Sequence, residues 1–193
     1  MSSPAPPKLR LMVSSTVYGI ESLLDQVYGV LTGYGYEVWM SHKGTIPVSP
    51  RGTAFDNCIE AVENCDAFLG IITGRYGSGV APGDLSITHR EMLRAIDLDK
   101  PRWFLVHHHV TIARQLLRQF RFKKNGALKR LNFKRTPILD DIRVLDMYET
   151  AIRQGLPLPA RVANWVQQYI TDGDALLYVE SQFRDPERIR TLL

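Results

Sequence analysis

Short apolar runs alternate with amphipathic segments over the first two thirds of the chain, and this order constrains the fold more than any other feature. The apolar runs occupy residues 9–13, 36–40, 67–72 and 103–106. After each run, apolar residues recur at helical spacing, at residues 20–31, 55–62, 87–98 and 110–120. Strands that alternate with helices pair in parallel, and the helices cover both faces of the sheet. The sequence therefore predicts a flavodoxin-like α/β fold, a three-layer αβα arrangement with a mainly parallel sheet.

The alternation fades beyond residue 121. Residues 138–152 and 161–170 have helical spacing, whereas residues 175–179 fit either a fifth strand or a docking segment. The chain then divides into a disordered, Pro-rich lead-in (1–8), an α/β domain (9–121) and a mostly helical C-terminal extension packed on the same domain (122–193). The extension either caps the sheet or forms an interface for another subunit.

Composition narrows the class of protein. With 45% hydrophobic and 23% charged residues, the chain has the composition of a packed globule. No apolar run approaches the roughly 20 residues that cross a bilayer, and the first residues lack the apolar core of a secretory signal. Cys58 and Cys65 are too few for a disulfide framework. We therefore expect a cytoplasmic protein with buried thiols and no membrane segment.

The positive charge is concentrated in one segment. Residues 100–139 contain 11 Lys or Arg and no Asp or Glu, although the whole chain has only a net charge of +4. Such a basic block is typical of a docking surface for an anionic partner: nucleic acid, a phosphate-bearing ligand or an acidic protein. Phe120, Phe122 and Phe133 are interleaved with it, as in single-strand binding surfaces. Because solvated basic surfaces are commoner, nucleic acid is the minor alternative.

Polar residues follow each predicted strand, where open parallel sheets bind their ligands. The clusters are Ser14-Ser15-Thr16, residues 41–43, residues 73–77 and His107-His108-His109. Three consecutive histidines on a strand point to alternate faces, so we predict a partly solvated strand end there and no metal site.

The most specific local signal is a carboxylate at the start of a predicted helix. Thr88 and Glu91 have the spacing of a capping box, in which both side chains satisfy free backbone N–H groups. The alternative is a functional carboxylate that faces the loop preceding the helix. Local spacing alone leaves both interpretations open.

Four segments favour the functional interpretation by resemblance. Residues 11–17, 65–72, 75–78 and 86–95 resemble, in this order, an uncharacterised bacterial domain family whose members begin with a strand ending in Ser-Ser-Thr. That family is similar in fold to Toll/interleukin-1 receptor (TIR) domains and to nucleoside 2-deoxyribosyltransferases. The resemblance implies that Glu91 is the catalytic carboxylate of an N-glycosidase, and that Ser86 and Thr88 belong to its substrate-binding motif. Ser86 stands where many deoxyribosyltransferases have Asp, which leaves Asp84 as the nearest proton donor.

The chemistry of N-glycosidic cleavage is consistent with this assignment. The anomeric carbon gains oxocarbenium character, which a carboxylate stabilises or captures. In the first turn of a helix, Glu91 is expected to be accessible and to have a lowered pKa.

Supporting roles can be assigned along the same edge. We expect Ser14, Ser15 and Thr16 to bind phosphate, Arg75 to pair with a pyrophosphate and Tyr76 to stack on a base or ribose. Alternatively, Arg75 bridges loops and Tyr76 packs on the sheet.

The resemblance also implies the ligand class and the mode of action. The substrate is NAD or a related nucleotide or nucleoside, no cofactor is required, and self-association and a role in bacterial defence are expected. No phosphate-binding loop or dinucleotide glycine fingerprint supports an NTPase or a hydride-transfer enzyme. A non-catalytic nucleotide-sensing or oligomeric signalling module, with Glu91 as a helix cap, is the alternative.

Overall fold

A computed structural model describes residues 6–79, 81, 83–123, 129 and 131–193, and within them five strands form one parallel sheet. The strands are β1 (Arg10–Ser15), β2 (Glu37–Trp39), β3 (Ala67–Ile72), β4 (Arg102–His107) and β5 (Val166–Tyr169). Their order across the sheet is β2-β1-β3-β4-β5, and all four pairings are parallel. This is the flavodoxin-like order, so the predicted fold class is confirmed.

Helices cover both faces of the sheet. They are α1 (Glu21–Gly33), α2 (Ala54–Asn64), α3 (Ile87–Asp97), α4 (His108–Arg121), α5 (Arg143–Ala151), α6 (Asp172–Phe183) and α7 (Pro186–Arg190). One buried cluster packs α1, α6 and α7 on the sheet, and a second packs α2, α3, α4 and α5 on the opposite face. All six residues of β3 are buried, which explains its uninterrupted apolar sequence. Within the described residues, no helix combines the length and apolar character needed to cross a membrane.

The structure corrects two predictions in the C-terminal third. Residues 161–170, predicted to be helical, contain β5, which pairs with β4 in the register His107 to Tyr169. Residues 175–179, predicted as a strand or docking segment, lie in α6. Ala175, Val179 and Phe183 recur every four residues and are fully buried in the α1 cluster, which is a helical spacing. The β5 segment is too short for its own periodicity to reveal it.

The structure shortens one predicted helix and describes only part of the predicted lead-in. The helix predicted over residues 138–152 begins only at Arg143, as α5. The residues before it run as an irregular segment that contacts the loop after β3. Residues 1–5 of the predicted disordered lead-in lie outside the described residues, and residues 6–8 are exposed coil.

Candidate functional site

β1 and β3 are neighbours in the sheet, with β2 on the far side of β1 and with β4 and β5 on the far side of β3. The direction in which successive strands are added therefore reverses between β1 and β3. Ser14 pairs with Gly70 and Ser15 with Ile71, so the end of β1 lies directly beside the end of β3. Ligands of open α/β sheets bind at such a switch point, outside the carboxyl ends of the strands. The Ser-Ser-Thr segment therefore stands where a ligand site is expected.

A buried hydrogen bond joins this point to α3. The Ser14 Oγ donates to Glu91 Oε2 at 2.5 Å, and Glu91 has 4% of its surface exposed. Burial raises the pKa of Glu91 to about 7, while hydrogen bonds from Ser14 and Cys58 act in the opposite direction. Burial and the nearby Glu91 carboxyl in turn raise the pKa of the Cys58 thiol to about 12. Burial outweighs these hydrogen bonds because a charged carboxylate loses its hydration there.

The capping interpretation of Glu91 is wrong, and so is its expected accessibility. Ser86 is the N-cap of α3, since its Oγ accepts the His89 backbone N–H at 3.2 Å. The helix begins at Ile87, which places Glu91 in the second turn, beyond reach of the free N–H groups at the helix start. The expected low pKa is wrong as well, because burial raises the pKa of Glu91 and the effect of the helix dipole fades after the first turn.

A carboxyl group with a pKa of about 7 exists in both protonation states at neutral pH. Such a group can accept or donate a proton under the conditions at which most enzymes work. A buried carboxyl with a strongly shifted pKa at a ligand-binding edge is typical of functional sites. Because Glu91 is closed to solvent, a substrate reaches it only after neighbouring residues move.

The hydroxyl groups after Ser14 have different surroundings. Ser15 Oγ donates to the neighbouring carbonyl of Thr16 at 3.1 Å. Thr16 Oγ1 is buried and has no hydrogen-bond partner among the described residues. A Cβ atom added to Gly77, whose φ is +82°, would lie 3.1 Å from this oxygen. The loop between β3 and α3, here called the glycine loop, therefore packs tightly on the end of β1 at Gly77, beside a hydroxyl that is available to a ligand or a water.

Tyr76 does not have the predicted stacking role in this structure. Its ring is buried, its hydroxyl shares a 2.8 Å hydrogen bond with His89 Nδ1, and the Arg143 guanidinium lies 4.3 Å from the ring centre. The alternative, in which Tyr76 packs on the sheet, fits the structure, because Tyr76 belongs to the buried cluster that covers this face of the sheet. Burial and the Arg143 charge lower the pKa of His89 to about 4, so this imidazole is neutral at pH 7.

Asp84 and Arg75 belong to the loop between β3 and α3. The Asp84 carboxylate accepts the Ala81 N–H at 3.1 Å and faces the Arg90 guanidinium at 3.7 Å. None of its hydrogen bonds within the described residues reaches Glu91. Arg75 is half-buried, and among the described residues its side chain makes no hydrogen bond, so the loop-bridging alternative is not observed. Thr88 is buried on α3.

Sequence reasoning missed the segment that covers the glycine loop. Asp140 accepts the Tyr76 N–H at 2.8 Å, and its own N–H donates to the Gly74 carbonyl at 3.0 Å. Arg143 donates to the carbonyls of Gly83 and Asp84 at 3.1 and 2.7 Å. Residues 136–143, here called the strap, thus hold the loop over the sheet edge. No local pattern marks the strap, because all of these contacts join residues about 60 positions apart.

The structure also overturns the argument against clustering of the three histidines. β4 ends at His107 and α4 begins at His108, so the strand alternation on which that argument rested does not extend over all three residues. One ring nitrogen from each histidine lies within 4.8 Å of the other two. Burial, followed by the neighbouring His109 and His108, lowers the pKa of His107 to about 4.

Several Lys and Arg side chains of the basic block form ion pairs or hydrogen bonds within the domain. Arg121 is buried and pairs with Asp146 and Glu149, at 2.5 and 2.8 Å. Lys100 donates to the carbonyls of Glu63 and Cys65, each at 2.7 Å. Other members pair in the same way: Arg102 with Asp99, and Arg114 with Glu149. Lys124 and Arg130 lie outside the described residues. The surface left for an anionic partner is therefore smaller than the sequence indicates.

Comparison with known proteins identifies the family. The family model described as "Domain of unknown function (DUF4062)" matches residues 10–158. The chain belongs to this family. No curated protein matches this DUF4062 chain. Among solved structures it is similar to the CMP N-glycosidase BcmB of Clostridium botulinum, at 16% identity and a TM-score of 0.46. The likeness covers 90% of this chain and 98% of that one, and at this level it carries no information about chemistry.

Proposed function

We propose that this DUF4062 domain is an N-glycosidase that acts on NAD or a related nucleotide, with Glu91 as its catalytic carboxylate. The observation that carries the proposal is the buried Ser14–Glu91 pair at the switch point of the sheet. It places a carboxyl of shifted pKa where this class of fold binds ligands.

The proposed reaction uses the ionised form of Glu91. As the bond between sugar and base breaks, positive charge develops at the anomeric carbon, and a nearby carboxylate stabilises or captures it. Ser14 holds one carboxylate oxygen and so restricts the orientation of the group. The other oxygen is proposed to face the anomeric carbon once neighbouring residues move to admit the substrate. Exclusion of water strengthens the attraction between the two charges.

The remaining residues are proposed to bind the nucleotide. The Thr16 hydroxyl lacks a partner among the described residues and can donate to a phosphate, together with Ser15. The half-buried Arg75 guanidinium supplies positive charge in the next loop along the edge. Ser86 and Thr88 keep their proposed places in the substrate-binding motif, although Ser86 already serves as the cap of α3. Asp84 keeps its proposed catalytic role as the proton donor to the leaving base. By analogy with the related families, the protein is proposed to act after self-association in bacterial defence.

A second candidate is favoured by one observation. Glu91 is only 4% exposed and bonds to Ser14, which is the environment of a residue that holds β1 and α3 together. A non-catalytic nucleotide-sensing or oligomeric module would use the same edge of the sheet without needing access to this carboxyl. The two candidates share a ligand class and differ in whether the N-glycosidic bond breaks.

Base release distinguishes the two candidates. The purified protein, at concentrations that allow self-association, is incubated with NAD, with nucleoside monophosphates including CMP, and with deoxynucleosides, and free base is separated by chromatography. Wild type should release base, and Glu91→Gln should lower the rate by about a hundredfold or more. Glu60→Gln, which changes an exposed carboxylate on α2, is the matched control and should retain the wild-type rate.

Two results would contradict the enzyme. The first is saturable nucleotide binding with no release of base by wild type at any protein concentration, which favours the sensing module. The second is equal release by wild type and Glu91→Gln, which removes Glu91 from the reaction.

A further inference from the structure

The three consecutive histidines form a compact cluster at the carboxyl end of β4. Their ring centres are 4.2 to 4.6 Å apart, and all three side chains are half-buried. The His107 ring also packs edge-on against the ring of Tyr169 in β5, with 5.2 Å between the ring centres. The proposed glycosidase does not use this cluster, so its chemistry is a separate question.

The cluster arises because the chain changes conformation within it. His107 has extended backbone angles and is the N-cap of α4, whereas His108 and His109 are the first residues of the helix. The turn from strand to helix brings together three rings that a continuous strand would direct to alternate faces. One nitrogen from each ring then lies within 4.8 Å of the other two.

We propose that His107, His108 and His109 bind one divalent transition-metal ion of the class that prefers imidazole, such as zinc. Imidazole nitrogens lie about 2.0–2.1 Å from zinc, so two of them on a tetrahedral ion are about 3.4 Å apart. The nitrogens must therefore approach one another by at most about 1.4 Å from their 4.8 Å limit. Rotation of half-exposed side chains supplies a movement of this size.

The hydrogen-bonding state of the rings supports the proposal. His108 Nδ1 is buried and has no partner among the described residues, so a bound ion would satisfy a polar atom that is otherwise costly to bury. His107 Nδ1 accepts the His109 backbone N–H, but at 3.4 Å this contact is long. Giving it up on metal binding therefore costs little.

The proposed site leaves room for a further ligand. Three protein nitrogens fill three of the four positions of a tetrahedral ion. The fourth remains for water or for a ligand held at the same edge of the sheet, as in zinc sites that act on a substrate.

Metal titration of the full chain tests the site. After treatment with a chelator, the protein is titrated with Zn²⁺ by calorimetry, and with Co²⁺ by visible absorption, whose intensity distinguishes a tetrahedral site from a hydrated ion. One ion should bind per chain, and each of His107→Gln, His108→Gln and His109→Gln should weaken binding by about tenfold or more. His42→Gln is the matched control, because His42 lies apart and pairs with Asp25. Mg²⁺ should not compete, since it prefers oxygen ligands.

A second measurement keeps the test decisive if a variant folds poorly. In the wild-type protein, Zn²⁺ should protect the three clustered histidines from diethyl pyrocarbonate, scored by mass spectrometry, and leave His42 reactive. The proposal is overturned if wild type binds Zn²⁺ no more tightly than the triple variant. It is also overturned if His42→Gln has the same effect as the cluster variants, or if zinc protects no residue of the cluster. Base release by Glu91 is not a readout here, so failure of one proposal leaves the other intact.

Discussion

A serine hydroxyl and a carboxyl group 2.5 Å apart connect β1 to α3 across 77 positions of the sequence. At the scale of single residues, this contact decides how Glu91 behaves. The surrounding apolar cluster raises the pKa of Glu91, and Ser14 partly offsets that rise by donating to the charged form. Two substitutions separate these effects.

Ser14→Ala should destabilise the fold and raise the pKa of Glu91 further. The substitution leaves a buried carboxyl oxygen without its donor, at a cost of about 1–3 kcal/mol. The loss should be larger at pH 8 than at pH 5, because the hydroxyl stabilises the ionised carboxylate. Urea unfolding at both pH values measures it, with Ser15→Ala as the control, since the Ser15 hydroxyl bonds only to the adjacent carbonyl among the described residues. Equal effects of the two substitutions would show that the Ser14–Glu91 bond contributes nothing specific.

Glu91→Gln should change the pH dependence of stability. The folded-state pKa of about 7 lies above the ordinary 4.5, so the folded protein binds this proton more tightly than the unfolded chain. The contribution of Glu91 is therefore fully present below about pH 4.5 and is lost as the pH rises through about 7. The loss is about 3 kcal/mol, from 1.36 kcal/mol for each unit of pKa.

The measurement is the unfolding free energy of Glu91→Gln minus that of wild type. This difference should become more positive from about pH 5 to about pH 8, because wild type loses stability over this range that the variant does not lose. The lowered pKa values of His89 and His107, about 4 each, make stability rise with pH below about 6.5 in both proteins, so their effects cancel. A difference that does not change with pH would mean that Glu91 has an ordinary pKa.

At the scale of elements, the strap at residues 136–143 explains how a loop rich in glycine is held in one place. The described residues of the loop after β3 form no helix or strand, and the Tyr76 N–H and the carbonyls of Gly83 and Asp84 bond to Asp140 and Arg143. Gly74 is the point of closest approach, since a Cβ atom there would lie 1.8 Å from the Ile138 carbonyl oxygen. Only a residue without a side chain allows the strap to pack this closely against the loop.

Gly74→Ala should lift the strap from the loop. A backbone carbonyl cannot yield as a flexible side chain can, so the clash displaces residues 136–143 and costs about 1–3 kcal/mol. Hydrogen exchange of the strap amides should speed up, with the rest of the sheet unchanged. Gly29→Ala is the control, because its new methyl group meets nothing within 4 Å in α1 and should stabilise the helix by about 0.5–1 kcal/mol. Unchanged exchange in the strap would contradict the close approach at Gly74.

At the scale of the whole molecule, the C-terminal third is part of the fold. β5 completes the sheet beside β4, and α6 packs on α1 in the same buried cluster. Phe183 of α6 meets Tyr36 and Trp103 edge-on, at 6.0 and 5.0 Å between ring centres. The first helix, the start of β2 and the end of the chain therefore share one core.

Phe183→Ala should destabilise the entire domain. Removing a fully buried aromatic ring costs about 3–5 kcal/mol in lost burial and residual cavity. Chemical unfolding should show a single transition by tryptophan fluorescence and by circular dichroism, shifted equally for both signals. Leu177→Ala, on the exposed face of the same helix, should cost less than about 1 kcal/mol. Two separate transitions would mean that α6 unfolds independently of the sheet.

The local sequence determined the class of fold and the edge of the sheet at which the candidate site lies. The alternation of strands and helices, the buried character of β3 and the Ser-Ser-Thr end of β1 follow from patterns within about ten residues, because periodicity and polarity are local properties. The burial of Glu91, the strap, β5 and the cluster of histidines required the tertiary structure. Each depends on contacts with residues far along the chain or on where an element ends, and neither spacing nor composition encodes the desolvation that sets the pKa of Glu91.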